Sequence, residues 1–164
     1  MPQQNELWKC LKSRLQELGL SVSEEQMGEE GRVSVLRIVL PLPTIGENVL
    51  TELIQNRLLE KGALLQIYTT MLLDIPSVCN VSLGQYLIEE NFLCPLGSFG
   101  LFTEAGQLYH KYNLLLEDES EDTARRITEE LLAILALIQE LLEQKMPEAA
   151  AWLDRMAENN AGNG

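Results

Sequence analysis

His110 is the only histidine in the chain, so it is the first residue to test as a general base. It lies in Gln107 to Leu116, a run that alternates like a strand. Base catalysis from such a position needs a partner carboxylate and a cleft. Glu104 and Lys111 are close in sequence, but no spacing aims either at the imidazole, and a structural histidine is the expectation. Ser98 sits between Gly97 and Gly100. The GxSxG nucleophile pattern fails there because position 96 is Leu, and no Gly-Lys-Ser/Thr follows to build a phosphate loop. Those glycines suit the start of a strand where backbones pack closely. An enzyme built on Glu104, His110 or Ser98 requires a concave pocket around at least two of them. Glu89 with Glu90, and Glu129 with Glu130, are adjacent on helices and do not face each other, so they read as solvated faces and not as an acid/base dyad.

The three cysteines, Cys10, Cys79 and Cys94, form no CxxC pair. One histidine and scattered thiols give no zinc-ligand spacing, and neither a metal nor a cofactor is expected. An odd count argues against a disulfide framework and for free thiols in a reducing compartment. The 25 acidic and 12 basic residues give a formal charge of −13. That charge repels phosphate backbones and anionic membranes and excludes nucleic-acid binding as an expectation. The N-terminus lacks the basic start and apolar core of a signal peptide. The most apolar run, Leu131 to Leu142, is interrupted by Gln139 and Glu140 and is short of the ~20 residues that cross a bilayer. A cytoplasmic protein is expected.

The 164 residues have a one-domain length. A chain of that size buries about 70% of its unfolded surface and needs no staples. Aromatic residues make up only 5%, so the core must be mostly aliphatic.

Asn5 to Leu18 predicts an amphipathic helix, with Leu7, Leu11, Leu15 and Leu18 at helical spacing and Gly19 as its stop. Leu20 to Gln26 predicts a strand, and Gly28 to Gly31 a turn. Arg32 to Leu40 predicts a central strand, stopped by Pro41 and Pro43. Glu47 to Glu60 carries Val49, Leu50, Leu53, Ile54 and Leu58 at helical spacing and predicts a second helix. Ala63 to Leu73 predicts a strand with Leu65, Ile67, Met71 and Leu73 on one face. Ser82 to Asn91 predicts a helix capped by Asn80 or Ser82, with Leu83, Tyr86 and Leu87 inward. A hairpin follows, with Phe99 and Leu101 on one strand, Gly106 in the turn, and Leu108, Tyr112, Leu114 and Leu116 on the return. The acidic connector Glu117 to Asp122 reads as a solvated helix start. Thr123 to Gln144 is then the longest predicted helix. Its apolar residues cover roughly 160° of arc against about 100° for an ordinary surface helix, so it should pack on a sheet and also on another helix or subunit. Pro147 predicts a new short helix, Glu148 to Glu158, and Asn159 to Gly164 a frayed tail.

The fold expected from this order is α+β: an antiparallel sheet of about five strands, flanking helices and a long C-terminal helix. Residues 1–145 form one domain, and 146–164 a short helix and tail. Asn91, Pro95, Leu96, Gly97, Phe99, Gly100 and Leu101 mark a helix end running into a strand. With the hairpin, acidic connector and final helix that follow, they resemble the type III secretion chaperones of the Tir-chaperone class and the related YbjN-like proteins. The order of elements is similar over residues 5 to 144, except for the helix after Pro43 and the C-terminal helix with Trp152. The resemblance implies a small acidic homodimer that catalyses nothing and binds a protein partner. Its chaperone branch implies an extended client segment, and its YbjN-like branch a regulatory or stress-linked role. An exposed sheet edge or apolar patch would hold such a segment by strand addition and side-chain pockets. The candidate contact residues are Val33, Val35, Ile67 and Met71 on the sheet, and Leu132, Leu137 and Leu141 on the excess face of the long helix. Leu137 and Leu141 are the candidate dimer seam.

Overall fold

In the computed structural model, which describes residues 5–29, 32–57, 60 and 62–162, Asn5 starts the first helix. Its Oδ1 accepts the Trp8 N–H at 3.2 Å, satisfying one of the amides that a helix start leaves free. Helix α1 (Glu6–Glu17) buries Leu7, Trp8, Leu11 and Leu15; Leu18, expected in the same stripe, lies past the helix end and is exposed. Gly19 ends it with φ +77°. The Gly19 N–H meets the Gln16 carbonyl and the Leu20 N–H reaches back to Leu15, which closes the helix end with a left-handed turn.

Strands β1 (Val22–Met27), β2 (Val33–Leu42), β3 (Glu47–Asn56) and β4 (Ala63–Leu72) follow. A 3-10 turn at Ser77–Cys79 leads into α2 (Asn80–Leu93), then β5 (Ser98–Phe102), β6 (Gln107–Leu116) and α3 (Glu121–Gly162). One antiparallel sheet of six strands results, in the order β1-β2-β3-β4-β6-β5. Register fixes its two faces. Leu36 lies opposite Leu53, Leu53 opposite Ile67, and Ile67 opposite Tyr112. The two-residue period then puts Ile38, Leu40, Leu42, Val49, Leu65 and Leu108 on that same face, all buried. Residues of α1, α2 and α3 complete this single core. The fold is α+β, with helices flanking an antiparallel sheet and a long C-terminal helix. No helix among the described residues is long and apolar enough to cross a membrane.

Several elements differ from the sequence reading. The segment expected as a helix from Glu47 to Glu60 is β3, ending at Asn56; Leu58 and Leu59 lie outside the described residues. Its inward positions are Val49, Thr51, Leu53 and Gln55, and two of these are polar. That hides the alternation, while outward Leu50 and Ile54 complete a false helical stripe. The polar pair is tolerated because it is bonded. Thr51 and Thr69 share a hydrogen bond of 3.0 Å. Gln55 accepts from Asn5 Nδ2 at 2.5 Å and donates to Glu119 at 2.6 Å.

Pro41 does not stop β2, which runs to Leu42. The Val39 N–H points to Ser21, so the missing N–H of Pro41 points the same way, beyond the end of β1, where no ladder bond is lost. Leu73 falls after a register shift at Thr70/Leu72 and is exposed. Helix α2 starts at Asn80 with Cys79 before it and no side-chain cap, so neither Asn80 nor Ser82 plays that part. The turn expected at Gly28 to Gly31 begins with Gly28 at φ +80°; Glu30 and Gly31 lie outside the described residues.

Pro147 does not begin a new helix. It sits exposed inside α3, which continues to Gly162. Its ring leaves the Glu143 carbonyl without its helical donor. Trp152, Leu153 and Met156 beyond it pack against the core, so the segment after residue 145 is continuous with the domain; Asn163 and Gly164 lie outside the described residues. Gln139 Nε2 donates to the Pro41 carbonyl at 2.5 Å, and the Glu143 carboxylate accepts from Thr44 N and Oγ1 at 3.0 and 2.9 Å. These bonds lock α3 over the β2–β3 turn.

Candidate functional site

The residues that first suggested catalysis do not converge. His110 is fully buried on the helix-covered face. Ser98 lies opposite Lys111, one residue out of step with the Phe99–His110 pair, so it points to the other face. Glu104 stands exposed in the β5–β6 turn. His110 Nε2 lies 2.7 Å from the Leu96 carbonyl, and its ring meets Phe99 edge-on. Burial pushes the imidazole below its ordinary pKa, opposed by the Leu96 bond, so the neutral form is favoured.

The Leu96 to Gly100 glycines are explained by close approach. Gly97 has φ +70°, and a Cβ there would lie 2.4 Å from the Lys111 carbonyl and 2.9 Å from the His110 ring. A Cβ at Gly100 would lie 2.3 Å from the Tyr109 ring. Tyr109 thus lies over that glycine and stacks on Tyr68 at 4.7 Å between centroids.

The uncovered face of the sheet is mixed. Arg37 joins Glu25 and Glu52 across three strands, with its Nε 2.9 Å from the Glu52 carboxylate. On one side of this row lie Val39 and Leu50, and on the other Val33, Leu64 and Leu115. The sheet edges are guarded. At β5, the Phe99 N–H donates to Asn91 Oδ1 at 2.6 Å and the Phe99 carbonyl accepts from Asn91 Nδ2 at 2.8 Å. The side-chain amide thereby fills the outward bonds of Phe99 that an added strand would take. The β1 edge carries exposed Glu24 and Glu25, and charges of this kind oppose strand addition.

The candidate contact residues divide accordingly. Val33 is half-buried and Val35 is 3% exposed; register puts both on the uncovered face. Ile67 and Met71 belong to the covered core, so the four do not share a face. Leu141 is in the core and Leu132 is half-buried against it. Leu137 is exposed, but Leu141 is not, so the two form no common outward seam. Apart from Leu137, the wide apolar arc of α3 packs within the chain, against the sheet and α1.

The largest concentration of exposed apolar side chains lies on α2 and the turn before it. Val78, Val81, Ile88, Phe92 and Leu93 are 68–89% exposed. The opposite side of the same helix buries Leu83 and Leu87. Tyr86 stacks on Trp152 at 5.5 Å, and the Glu90 carboxylate lies 2.7 Å from Lys145 Nζ. Burial raises the Tyr86 pKa, and the Glu90 bond raises that of Lys145. A shallow, partly open crevice of about 10 Å³ lies there, lined by Met71, Leu87, Phe99 and Leu108 among others. The continuation of α3 past Pro147 therefore holds α2 with its apolar face outward. Sequence reasoning missed this face. Its signal was a helix with apolar residues on two sides and no basic residue.

The arrangement defines a two-layer α+β protein in which, among the described residues, Ser98, Glu104 and His110 do not converge. Neither any family model nor any curated protein matches the sequence.

Proposed function

We propose that this chain is a non-catalytic protein-binding module, a cytoplasmic homodimer acting as a chaperone or escort in the manner of the type III secretion chaperones. The observation that carries this reading is the exposed apolar face of α2. Monomers that work alone seldom expose contiguous apolar patches beyond a few hundred Å². The −13 charge supports a protein partner over nucleic acid. The uncovered sheet face, with its apolar patches on either side of Arg37, is the second surface open to a client.

A regulator of the YbjN-like kind, contacting a folded partner, is the second reading. The guarded edges favour it, because at β5 the outward bonds of Phe99 are already taken by Asn91.

A photo-reactive residue at Phe92, at Leu115, or at Glu104 as control tests the proposal in cells that make the full chain. Protein adducts at position 92 or 115, and none at 104, are expected. Adducts at neither 92 nor 115 would overturn it. An adduct with a disordered segment selects the chaperone reading, and one with a folded surface the regulator.

A further inference from the structure

The core around His110 offers its two ring nitrogens a single hydrogen-bond partner. Nε2 lies 2.7 Å from the Leu96 carbonyl. A carbonyl only accepts, so Nε2 carries the proton and Nδ1 of the neutral ring is bare. Nδ1 is shut off from solvent and meets no hydrogen-bond partner among the described residues. The closed structure therefore has a place for the neutral imidazole and none for the second N–H of the cation. We propose that His110 is an acid-sensitive latch: a proton on Nδ1 releases residues 94–97, which join α2 to β5, and with them the hold of Asn91 on Phe99. The latch goes beyond the binding reading above and depends on no partner.

What surrounds the ring sets the way out. His110 lies in β6, which pairs with β4 on one side and β5 on the other, so leaving the strand would break two ladders. Leu96 and Gly97 belong to no strand. The place of a Cβ at Gly97 is 2.9 Å from both Nε2 and Cε1 of the imidazole, so this backbone lies directly on the ring. The Cys94 thiol donates to the same Leu96 carbonyl at 3.2 Å. One oxygen therefore ties both groups to the segment. The neighbouring elements bring the ring no compensating charge. β4 faces it with Thr69 and β5 with Phe99, while Leu108 and Tyr112 flank it on β6. Besides Cys94 at its end, α2 carries Tyr86, exposed Glu89 and Glu90. Glu90 is held by Lys145 of α3, which also meets Glu148. Burial lowers the imidazole pKa, the Leu96 bond alone opposes it, and no charged side chain shifts it. The ring thus takes a proton more readily once residues 94–97 lift and water reaches it.

The test is amide hydrogen exchange followed by NMR on the full chain, with exchange times scaled to the intrinsic rate at each pH. The reporter is the Phe99 N–H, which donates to Asn91 Oδ1. The amides of β3, a central strand, are the control. Opening at Phe99 should rise by about 25-fold from about pH 7 to about pH 5, the factor for a group that titrates at about pH 6.5 when open and stays neutral when closed. The β3 amides should keep their protection. In His110→Gln, which takes no proton, opening at Phe99 should be the same at both pH values. Unchanged wild-type protection at Phe99 overturns the latch. Protection lost at β3 in step with Phe99 overturns it too, because acid then unfolds the whole chain and not the junction. A pH response in His110→Gln equal to that of the wild type assigns the proton to another group and also overturns it. Should His110→Gln fail to fold, the wild-type comparison of Phe99 with β3 decides alone.

Discussion

Asn91→Ala should loosen the junction of α2 with β5. The Asn91 amide makes two bonds to one residue, accepting from the Phe99 N–H at 2.6 Å and donating to the Phe99 carbonyl at 2.8 Å. Each neutral hydrogen bond contributes about 1 kcal/mol net, and somewhat more is lost where the partner is left dry. Asn91 is half-buried, so water replaces part of what is removed. The expected cost is about 2 kcal/mol, or a fall in Tm of about 4–8 °C for a chain of this size. Asn91→Asp keeps the acceptor but turns a carboxylate toward the Phe99 carbonyl, and should cost at least half as much. The assay is urea unfolding followed by tryptophan fluorescence, at one protein concentration so that association does not shift the midpoint. Hydrogen exchange at the Phe99 amide gives a separate readout: protected in wild type and in Asn91→Asp, fast in Asn91→Ala. A cost for Asn91→Ala below about 0.5 kcal/mol, with the amide still protected, would refute the claim that this side chain fills the edge.

Four further substitutions test the fold. Gly84→Ala in α2 meets no atom within 4 Å, whereas Gly97→Ala meets the Lys111 carbonyl at φ +70°. The first should stabilise by about 0.5–1 kcal/mol and the second destabilise by about 1–3 kcal/mol in the same urea assay. Pro147→Ala restores the donor to the Glu143 carbonyl on an exposed position and should stabilise by up to about 3 kcal/mol; thermal melting checks it. His110 has its pKa lowered by burial. The unfolded chain therefore takes the proton first, at about pH 6.5. Stability is full above that pH and falls as pH drops from there toward the lower folded-state pKa. His110→Gln should flatten that window in unfolding measured against pH; an unchanged slope would refute it.

The sequence was most legible where one side of an element is apolar and the other polar. The stripe of α1, the alternation of β4 and the hairpin glycine Gly106, which takes φ +59°, all come through. Legibility failed where burial did not follow polarity. Thr51 and Gln55 are inward because bonds to Thr69, Asn5 and Glu119 satisfy them, and no periodicity can reveal a partner 50 residues away. Reading β3 as a helix then removed the pairing that fixes parity between β2 and β4. Val33 and Ile67 were placed on one face for that reason, although the Leu36–Leu53–Ile67 register puts them on opposite faces. Pro147 misled in a different way. A proline breaks an isolated helix, but here Met146 and Ala149 on either side are buried and packing holds the helix through it.

The charge of the chain and the apolar face of α2 together set the sign of a salt effect. Two copies of a −13 chain repel at long range, and raising salt from 0.05 to 0.5 M shortens the Debye length from about 14 to about 4 Å. The exposed apolar side chains of that face, Val81, Ile88 and Phe92, carry no charge to be screened, so added salt removes repulsion and leaves the apolar attraction in place. Self-association through α2 should therefore tighten as sodium chloride rises. A basic partner held by the acidic surface would be released over the same range. The dimer constant measured by sedimentation at the two salt concentrations separates these cases: weakening with salt would mean that charge attraction, and not the apolar face of α2, holds the partner.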